Sequence, residues 1–264
     1  MQRAELNASS KDGGDLPVVY VIIANHNYGT WILDALNSVV AQDYPKIGIS
    51  LCDDFSTDDS VDRVLRHLEG KRLVMENEEK KIYEGFYVGV HTIFTCLKNN
   101  QLQASARNHA LGVCANLATL FQILDADDEL GRTKISKFVA KFQEDPETIG
   151  CVYGDYTTYR PESGLKIREF KEPYDFNRLR QECIVHSGGM VSKHALQTVG
   201  AYVVDESPCE DYSLWLRIAK RFIIVHIPED LTLVRIHNAN CTYSVPTQRW
   251  QESYRKVMER YVLK

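Results

Sequence analysis

This 264-residue sequence predicts an α/β fold: a mostly parallel central sheet with helices on both faces. Three observations carry that expectation. Continuous apolar, β-branched runs recur along the chain, as strands buried on both faces require. Stretches with apolar residues three to four apart follow them, the spacing of a helix with one buried face. Carboxylates stand where the pattern breaks: Asp53 and Asp54, then Asp125, Asp127 and Asp128, then Glu210 and Asp211. In an open α/β sheet, ligands bind in the crevice outside the carboxyl ends of the strands.

Residues 1–15 read as a polar, Gly/Ser/Asp-rich tail and 16–264 as one domain ending in a helix. Residues 17–24 (PVVYVIIA) fit a central strand, and 25–29 (NHNYG) a polar loop at its carboxyl end. Thr30 is placed to cap a helix whose apolar face is Trp31, Ile32, Ala35, Leu36, Val39 and Val40. Residues 47–52 (IGISLC) form the next strand, running into Asp53-Asp54. The 56–59 stretch (STDD) opens a second helix, with acids in the first turn to suit the helix dipole. Residues 72–75 read as a short third strand, so the pattern is βαβαβ with a parallel sheet.

Residues 78–81 (EEKK) suit a solvated loop, and 86–97 either a hairpin or a strand laid along the sheet edge. A helix over 105–116 leads to 119–130 (TLFQILDADDEL), an apolar run that ends at Asp125, Asp127 and Asp128. Clustered like charges at the end of a buried strand each need water, a cation or a donor nearby. A divalent cation that in turn holds a phosphate-bearing ligand meets that need. A solvated turn with Asp128 capping the next helix meets it too. Residues 133–142 are helical; 150–154 are a strand that continues into a hairpin turning at 162–164. Residues 184–192 (IVHSGGMVS) read as a strand with two glycines, the mark of a bulge or of a close approach by another group. Helices follow over 193–199 and 212–221, strands over 222–227 and 231–236, and a closing helix over 247–261. His237 lies at the end of the last strand, a neutral-imidazole ligand or a structural histidine.

The composition narrows the function. A formal net charge of −5 gives no footprint for nucleic acid or an anionic membrane. No apolar run reaches the roughly 18 residues that span a bilayer. Seven scattered cysteines without a C-x-x-C pair read as buried reduced thiols, which places the protein in the cytoplasm. Arg249, Arg255, Lys256, Arg260 and Lys264 on the closing helix suit a solvated face, or peripheral attachment to a membrane. The phosphate-cradling G-x-x-x-x-G-K-[ST] loop, H-E-x-x-H, G-x-S-x-G and G-x-G-x-x-G are all missing, which argues against P-loop, zinc-hydrolase, serine-hydrolase and standard dinucleotide chemistry.

The segments VVYVIIANHNYGTWILDALNSVVAQDYP, LCDDFSTDDS, SARNHALGVCANLATLFQILDADDEL, HSGGM, CEDYSLWLRIA and LVRIH occur in the order, and over most of the length, that resembles family 2 glycosyltransferases of the GT-A fold. The resemblance implies a Rossmann-like nucleotide-binding half and an acceptor-binding half. It implies that Ala24, Asn25, His26 and Asn27 line a nucleotide pocket, with His26 standing where an aromatic usually stacks on the base. It further implies that Asp53, with Asp54 beside it, meets the base, that Arg107 lies near the diphosphate, and that Asp125 and Ala126 face the donor. Asp127 and His237 are implied as ligands of Mn²⁺ or Mg²⁺. Ser187, Gly188 and Gly189 are implied as a loop near the sugars, Glu210 as their neighbour, and Asp211 as the base of an inverting reaction.

The chemistry suits these residue types. A nucleoside diphosphate leaving group gathers negative charge that a hard cation on carboxylate oxygens stabilises. The acceptor hydroxyl needs a positioned base, a role worth ~10²- to 10⁴-fold. The donor would be a nucleotide-sugar and the acceptor a carbohydrate, a glycan or polysaccharide. Other readings stay open. Asp211 and Glu210 suit a helix N-terminus, Arg107 a surface ion pair, and the two glycines a bulge. A sugar-phosphate nucleotidyltransferase would also pair carboxylates with a metal, although the 25–29 loop lacks the basic residues it would want. A non-catalytic binding module of the same fold is the third reading.

Overall fold

The computed structural model describes residues 16–263. The tail expected over 1–15 and the terminal Lys264 lie outside them. In chain order the elements are β1 (Val19–Asn25), α1 (Ile32–Val40), β2 (Ile47–Asp53), α2 (Ser60–His67), β3 (Glu69–Glu76), β4 (Lys80–Tyr87) and β5 (Val90–Leu97). Then come α3 (Leu102–Cys114), β6 (Leu120–Asp125), β7 (Glu129–Leu130), α4 (Lys134–Glu144), β8 (Ile149–Arg160), β9 (Leu165–Glu169) and α5 (Phe176–Leu179). The chain finishes with β10 (Met190–Ser192), α6 (Lys193–Val199), α7 (Glu210–Ala219), β11 (Ile223–Arg235), α8 (Cys241–Ser244) and α9 (Thr247–Tyr261).

The strands make one sheet in the order β3-β4-β5-β2-β1-β6-β10-β8-β11-β7, with β9 paired to β8. Its centre, β5-β2-β1-β6, is parallel. Strand β1 is buried at every position and feeds both layers of the core. Tyr20, Ile22 and Ala24 belong to the core layer shared with α3, α6, α7 and α9, while Val19, Val21 and Ile23 belong to the layer shared with α1, α2 and α4. That alternation explains why the strand reads as an unbroken apolar run: both faces are covered. Its register fixes the site. Asn25 pairs with Asp53 of β2, and Ala24 pairs with Asp125 of β6, so three strands end together.

Several expected elements are placed differently. The third parallel strand is β5, not 72–75. Every residue of β3 is exposed, including Lys71, Arg72 and Glu76, and β3 pairs antiparallel with β4 at the sheet edge. Strand β5 instead carries the buried Ile93, Phe94 and Leu97 that a place beside β2 demands. Lys80 and Lys81 belong to β4, not to a loop. Of 184–192 only Met190–Ser192 is strand, and 222–236 is largely one long strand whose register shifts between Ile227 and Asp230.

Four caps also differ. Helix α1 is preceded by Trp31 with no side-chain cap, and α2 by Asp59, because the Ser56 hydroxyl donates to Asp53 at 2.6 Å. Asp128 does not cap α4: its Oδ1 accepts the Arg235 N–H at 2.9 Å, and Thr133 occupies the cap position. Glu210 opens α7 after Cys209, which leaves Asp211 within the first turn instead of at the cap. All seven cysteines are free, and four are buried. Among the described residues, no helix is long and apolar enough to cross a membrane.

Candidate active site

A cavity of about 240 Å³ opens at the carboxyl ends of β1 and β6, lined by the strand-end acids Asp125, Asp127 and Asp128 and by Arg107, Glu210 and Asp211. A second, of about 200 Å³, is lined by Asn25, His26, Asp54, Leu102 and Ala106. Ala24, Tyr28, Gln103 and Cys241 line both, so the two form one cleft. Asn27, Phe55 and Leu102 around it have φ of 60°, 62° and 72°. Left-handed backbone costs about 1–2 kcal/mol in a non-glycine residue and concentrates at functional sites.

Arg107 ties the two acidic walls together. It is buried on α3, donates from one terminal nitrogen to Asp125 Oδ1 at 2.5 Å and from the other to Glu210 Oε1 at 3.1 Å, and lies over the Tyr202 ring. Burial opposes its charge, but Asp125, Tyr202 and Glu210 outweigh burial and keep the guanidinium protonated. Gln103 also donates to Asp125, at 3.1 Å. Burial raises the carboxyls of Glu210 and Asp211, with Arg107 pulling both back down. Asp211 Oδ1 accepts the Tyr212 N–H at 2.7 Å, which orients it at the head of α7. Burial raises Asp128 well above the ordinary range, with Asp127 and Asp125 adding to the rise.

Asp127 is buried, and its Oδ2 meets His237 Nε2 at 3.1 Å and Asn240 Nδ2 at 2.8 Å. The His237 ring is wedged between Tyr28, edge-on, and Trp31, stacked. Two adjacent ligand atoms each ~2.1 Å from an octahedral ion stand ~3 Å apart, so Asp127 and His237 are spaced to share one cation. No group of three His, Cys, Asp or Glu is so arranged among the described residues. The chain therefore offers a partial shell of the kind Mg²⁺ completes with phosphates and water.

The remaining expected residues divide between wall and support. His26 lines the second cavity; its Nδ1–H donates to the Asp54 carbonyl at 2.8 Å, and Asn27 Nδ2 donates to its Nε2 at 3.2 Å. Asn27 Oδ1 accepts the Thr57 N–H at 2.7 Å, a brace between the two loops. Asp53 is not part of the wall. Its carboxylate is occupied by Asn25 at 2.7 Å and by the Ser56 N–H at 2.9 Å, in addition to the Ser56 hydroxyl. Asp54 is part of the wall: its Oδ1 accepts the Gln101 N–H at 2.7 Å, and burial raises its pKa. Ala126 is fully buried between the two acids. Ser187 faces the cleft, while Gly188 and Gly189 are packed behind it. A Cβ on Gly188 would lie 3.1 Å from His186, and one on Gly189 3.3 Å from Cys151.

The sequence reading passed over His186, Lys134, Tyr28 and Asn240. His186 lines the cleft, lies tilted against the Tyr156 ring with centroids 4.5 Å apart, and accepts the Gly188 N–H at Nδ1. Burial, helped by Lys134, keeps it neutral, so its Nε2–H is available as a donor. The buried ammonium of Lys134 reaches Gly188 O at 2.8 Å and Thr232 at 2.7 Å, and burial lowers its pKa to about 7. The adjacency of His186 to the Ser-Gly-Gly loop was the available signal. For Lys134 and Asn240 there was none, since both meet the site only through tertiary register.

A family model described as Glycosyl transferase family 2 matches residues 20–198. An Escherichia coli UDP-Glc:alpha-D-GlcNAc-diphosphoundecaprenol beta-1,3-glucosyltransferase, WfaP, is 28% identical over 214 residues, 79% of this chain and 72% of that protein. Escherichia coli chondroitin synthase is 23% identical over 80% of this chain and 28% of its own length. Among solved structures, S. aureus TarS 1-349 in complex with UDP-GlcNAc superposes with a TM-score of 0.68 at 15% identity, covering 91% of this chain and 65% of that one. The mannosyltransferase PcManGT from Pyrobaculum calidifontis, in complex with GDP-Man and Mn²⁺, gives 0.56 at 19% identity over 96% of this chain and 64% of its own.

Proposed function

From a chain that belongs to glycosyl transferase family 2 and has the GT-A fold, we infer a metal-dependent, inverting transfer of a sugar from a nucleotide-sugar to a carbohydrate acceptor. The observation that carries this reading is Arg107, which joins the strand-end acid Asp125 to Glu210 and so sets a diphosphate-and-metal wall opposite Asp211 across one cleft. The nucleoside fits the part lined by Ala24, Asn25, His26, Asp54 and Leu102, with Asp53 and Asn27 holding that wall in shape. His26 offers its imidazole face to the base. Asp125 and the guanidinium of Arg107 face the ribose and diphosphate end, with Ala126 as the spacer that sends Asp127 inward.

Asp127 and His237 are the residues that would hold Mg²⁺ or Mn²⁺, which when bound offsets charge on the leaving diphosphate. On the opposite wall Asp211 takes the proton of the acceptor hydroxyl as that oxygen attacks the anomeric carbon. Attack from the face away from the leaving group inverts the anomeric centre. Burial equips Asp211 for this, because a carboxyl with a raised pKa is a stronger base than a solvated one. Ser187 and His186 present a hydroxyl and an N–H to the sugars, supported by Gly188, Gly189 and Lys134.

The test is release of nucleoside diphosphate from UDP- and GDP-sugars with metal, across a panel of saccharide acceptors. The configuration of the product is then read by the proton coupling at the new anomeric carbon. The reading expects acceptor-stimulated release and an inverted product. Release of pyrophosphate from a triphosphate would instead mark a nucleotidyltransferase.

A further inference from the structure

Asn240 stands where the cation of the proposed function would stand. Its Nδ2 donates to Asp127 Oδ2 at 2.8 Å and to the Arg235 carbonyl at 3.1 Å, and it lies 3.3 Å from His237 Nε2. Its orientation is fixed from the other end of the same planar amide, where Oδ1 accepts the His237 N–H at 2.6 Å. Asn240 lines the cleft, whereas His237 is not among the residues of its wall. The amide therefore lies over the face of Asp127 and His237 that an ion would approach.

With His237 Nε2–H and Asn240 N–H both donating to Asp127, the buried carboxylate has two partial positive charges in place of a full one. The segment that carries Asn240 is held by Tyr28, whose hydroxyl donates to the Ala239 carbonyl at 3.1 Å.

We propose that Asn240 is an affinity-setting residue that competes with the divalent cation for Asp127, so that the cation must evict its amide before it binds. This rests on the metal-dependent reading above and adds a sign to it. An asparagine that ligated the ion would strengthen metal binding, whereas one that competes with it weakens metal binding. A cation arriving alone has to displace the amide unaided. One arriving with a diphosphate gains extra oxygen ligands that offset that loss, so nucleotide and metal should bind synergistically.

The experiment is a titration of the full chain with Mn²⁺ alone, following the electron paramagnetic resonance signal of the free ion, for the wild type and Asn240→Ala. Removing a hydrogen bond to a charged group should tighten Mn²⁺ binding about tenfold. Equal or weaker binding by the variant would overturn the competition and leave the metal site standing. Absence of Mn²⁺ binding by both proteins, repeated with UDP present, would overturn the metal reading and the competition with it. A second readout needs no substitution. On eviction the His237 amide loses its acceptor, so Mn²⁺ should speed its hydrogen exchange in the wild type, and unchanged exchange at saturating metal would refute eviction.

Discussion

Replacing Arg107 with Met tests the joint between the two walls. The change keeps a long apolar stem and removes the cation. Glu210, 1% exposed, then has no countercharge, while Asp125, with a side chain 24% exposed, can take water. Breaking a buried pair by deleting one partner costs about 3–5 kcal/mol. Because water can serve Asp125, the lower end applies. For a domain near this size each kcal/mol lowers Tm by about 2–4 °C, so the expected fall is about 6–12 °C.

The loss has a pH signature. Burial already raises the folded-state pKa of Glu210 and Asp211, and Arg107 works against that rise. Without it both rise further. Carboxyls raised in the folded state contribute stability that is present below the unfolded pKa and lost as pH rises through the folded pKa. The gap between wild type and variant should therefore be small at about pH 4 and full at about pH 8. Thermal melts followed by circular dichroism across that range are the assay. Adding Glu210→Gln to Arg107→Met should recover part of the loss by removing the stranded charge. A variant that melts within about 1 °C of wild type at the alkaline end, or one equally destabilised at both ends, would refute the reasoning.

Asp211→Asn should keep donor binding and lower transfer by ~10²- to 10⁴-fold. Because the folded pKa of Asp211 is raised, the same change should also raise Tm at neutral pH and not in acid; full turnover would remove Asp211 as the base. Lys134 is depressed to about 7 in the folded state, so the unfolded chain binds more protons above that pH and stability should climb as pH rises from 7 towards the ordinary lysine range. Lys134→Met should flatten that climb in melts taken across the window, and an unchanged slope would mean that another group produces it.

The parts of the fold legible in the sequence are those where burial is complete. Strands β1, β2 and β6 lie under helices on both sides, so up to their terminal Asn25, Asp53 and Asp125 their residues are apolar apart from Ser50 and Gln122, and the helices beside them carry a single apolar face. The β3-β4-β5 region was hard to read because β3 is exposed at every position and β4 is only partly buried, so neither shows the pattern of a buried strand. Convergence of the acids at 53–54, 125–128 and 210–211 followed from the winding, but the direction of each side chain did not. Asp53 turns into a knot with Asn25 and Ser56, and Asp54 reaches the cleft, although the two are adjacent in sequence. Asn240 is a polar loop residue with nothing beside it in the sequence to mark it. Only the placement of β11 next to β7 brings its segment over Asp127.

The measurement that bears most directly on metal-dependent donor binding is a thermal-shift panel of nucleoside diphosphates and nucleotide-sugars, with Mn²⁺ and with EDTA, on the wild type and Asp127→Ala. A ligand that binds only the folded state raises its apparent stability by mass action, by roughly 2.7 kcal/mol at a hundredfold excess over Kd. The expected result is a rise with one nucleotide that needs Mn²⁺ and is absent from an otherwise folded Asp127→Ala. A nucleotide shift of equal size in EDTA, or one that survives in Asp127→Ala, would contradict the assignment of Asp127 and the metal to the donor site.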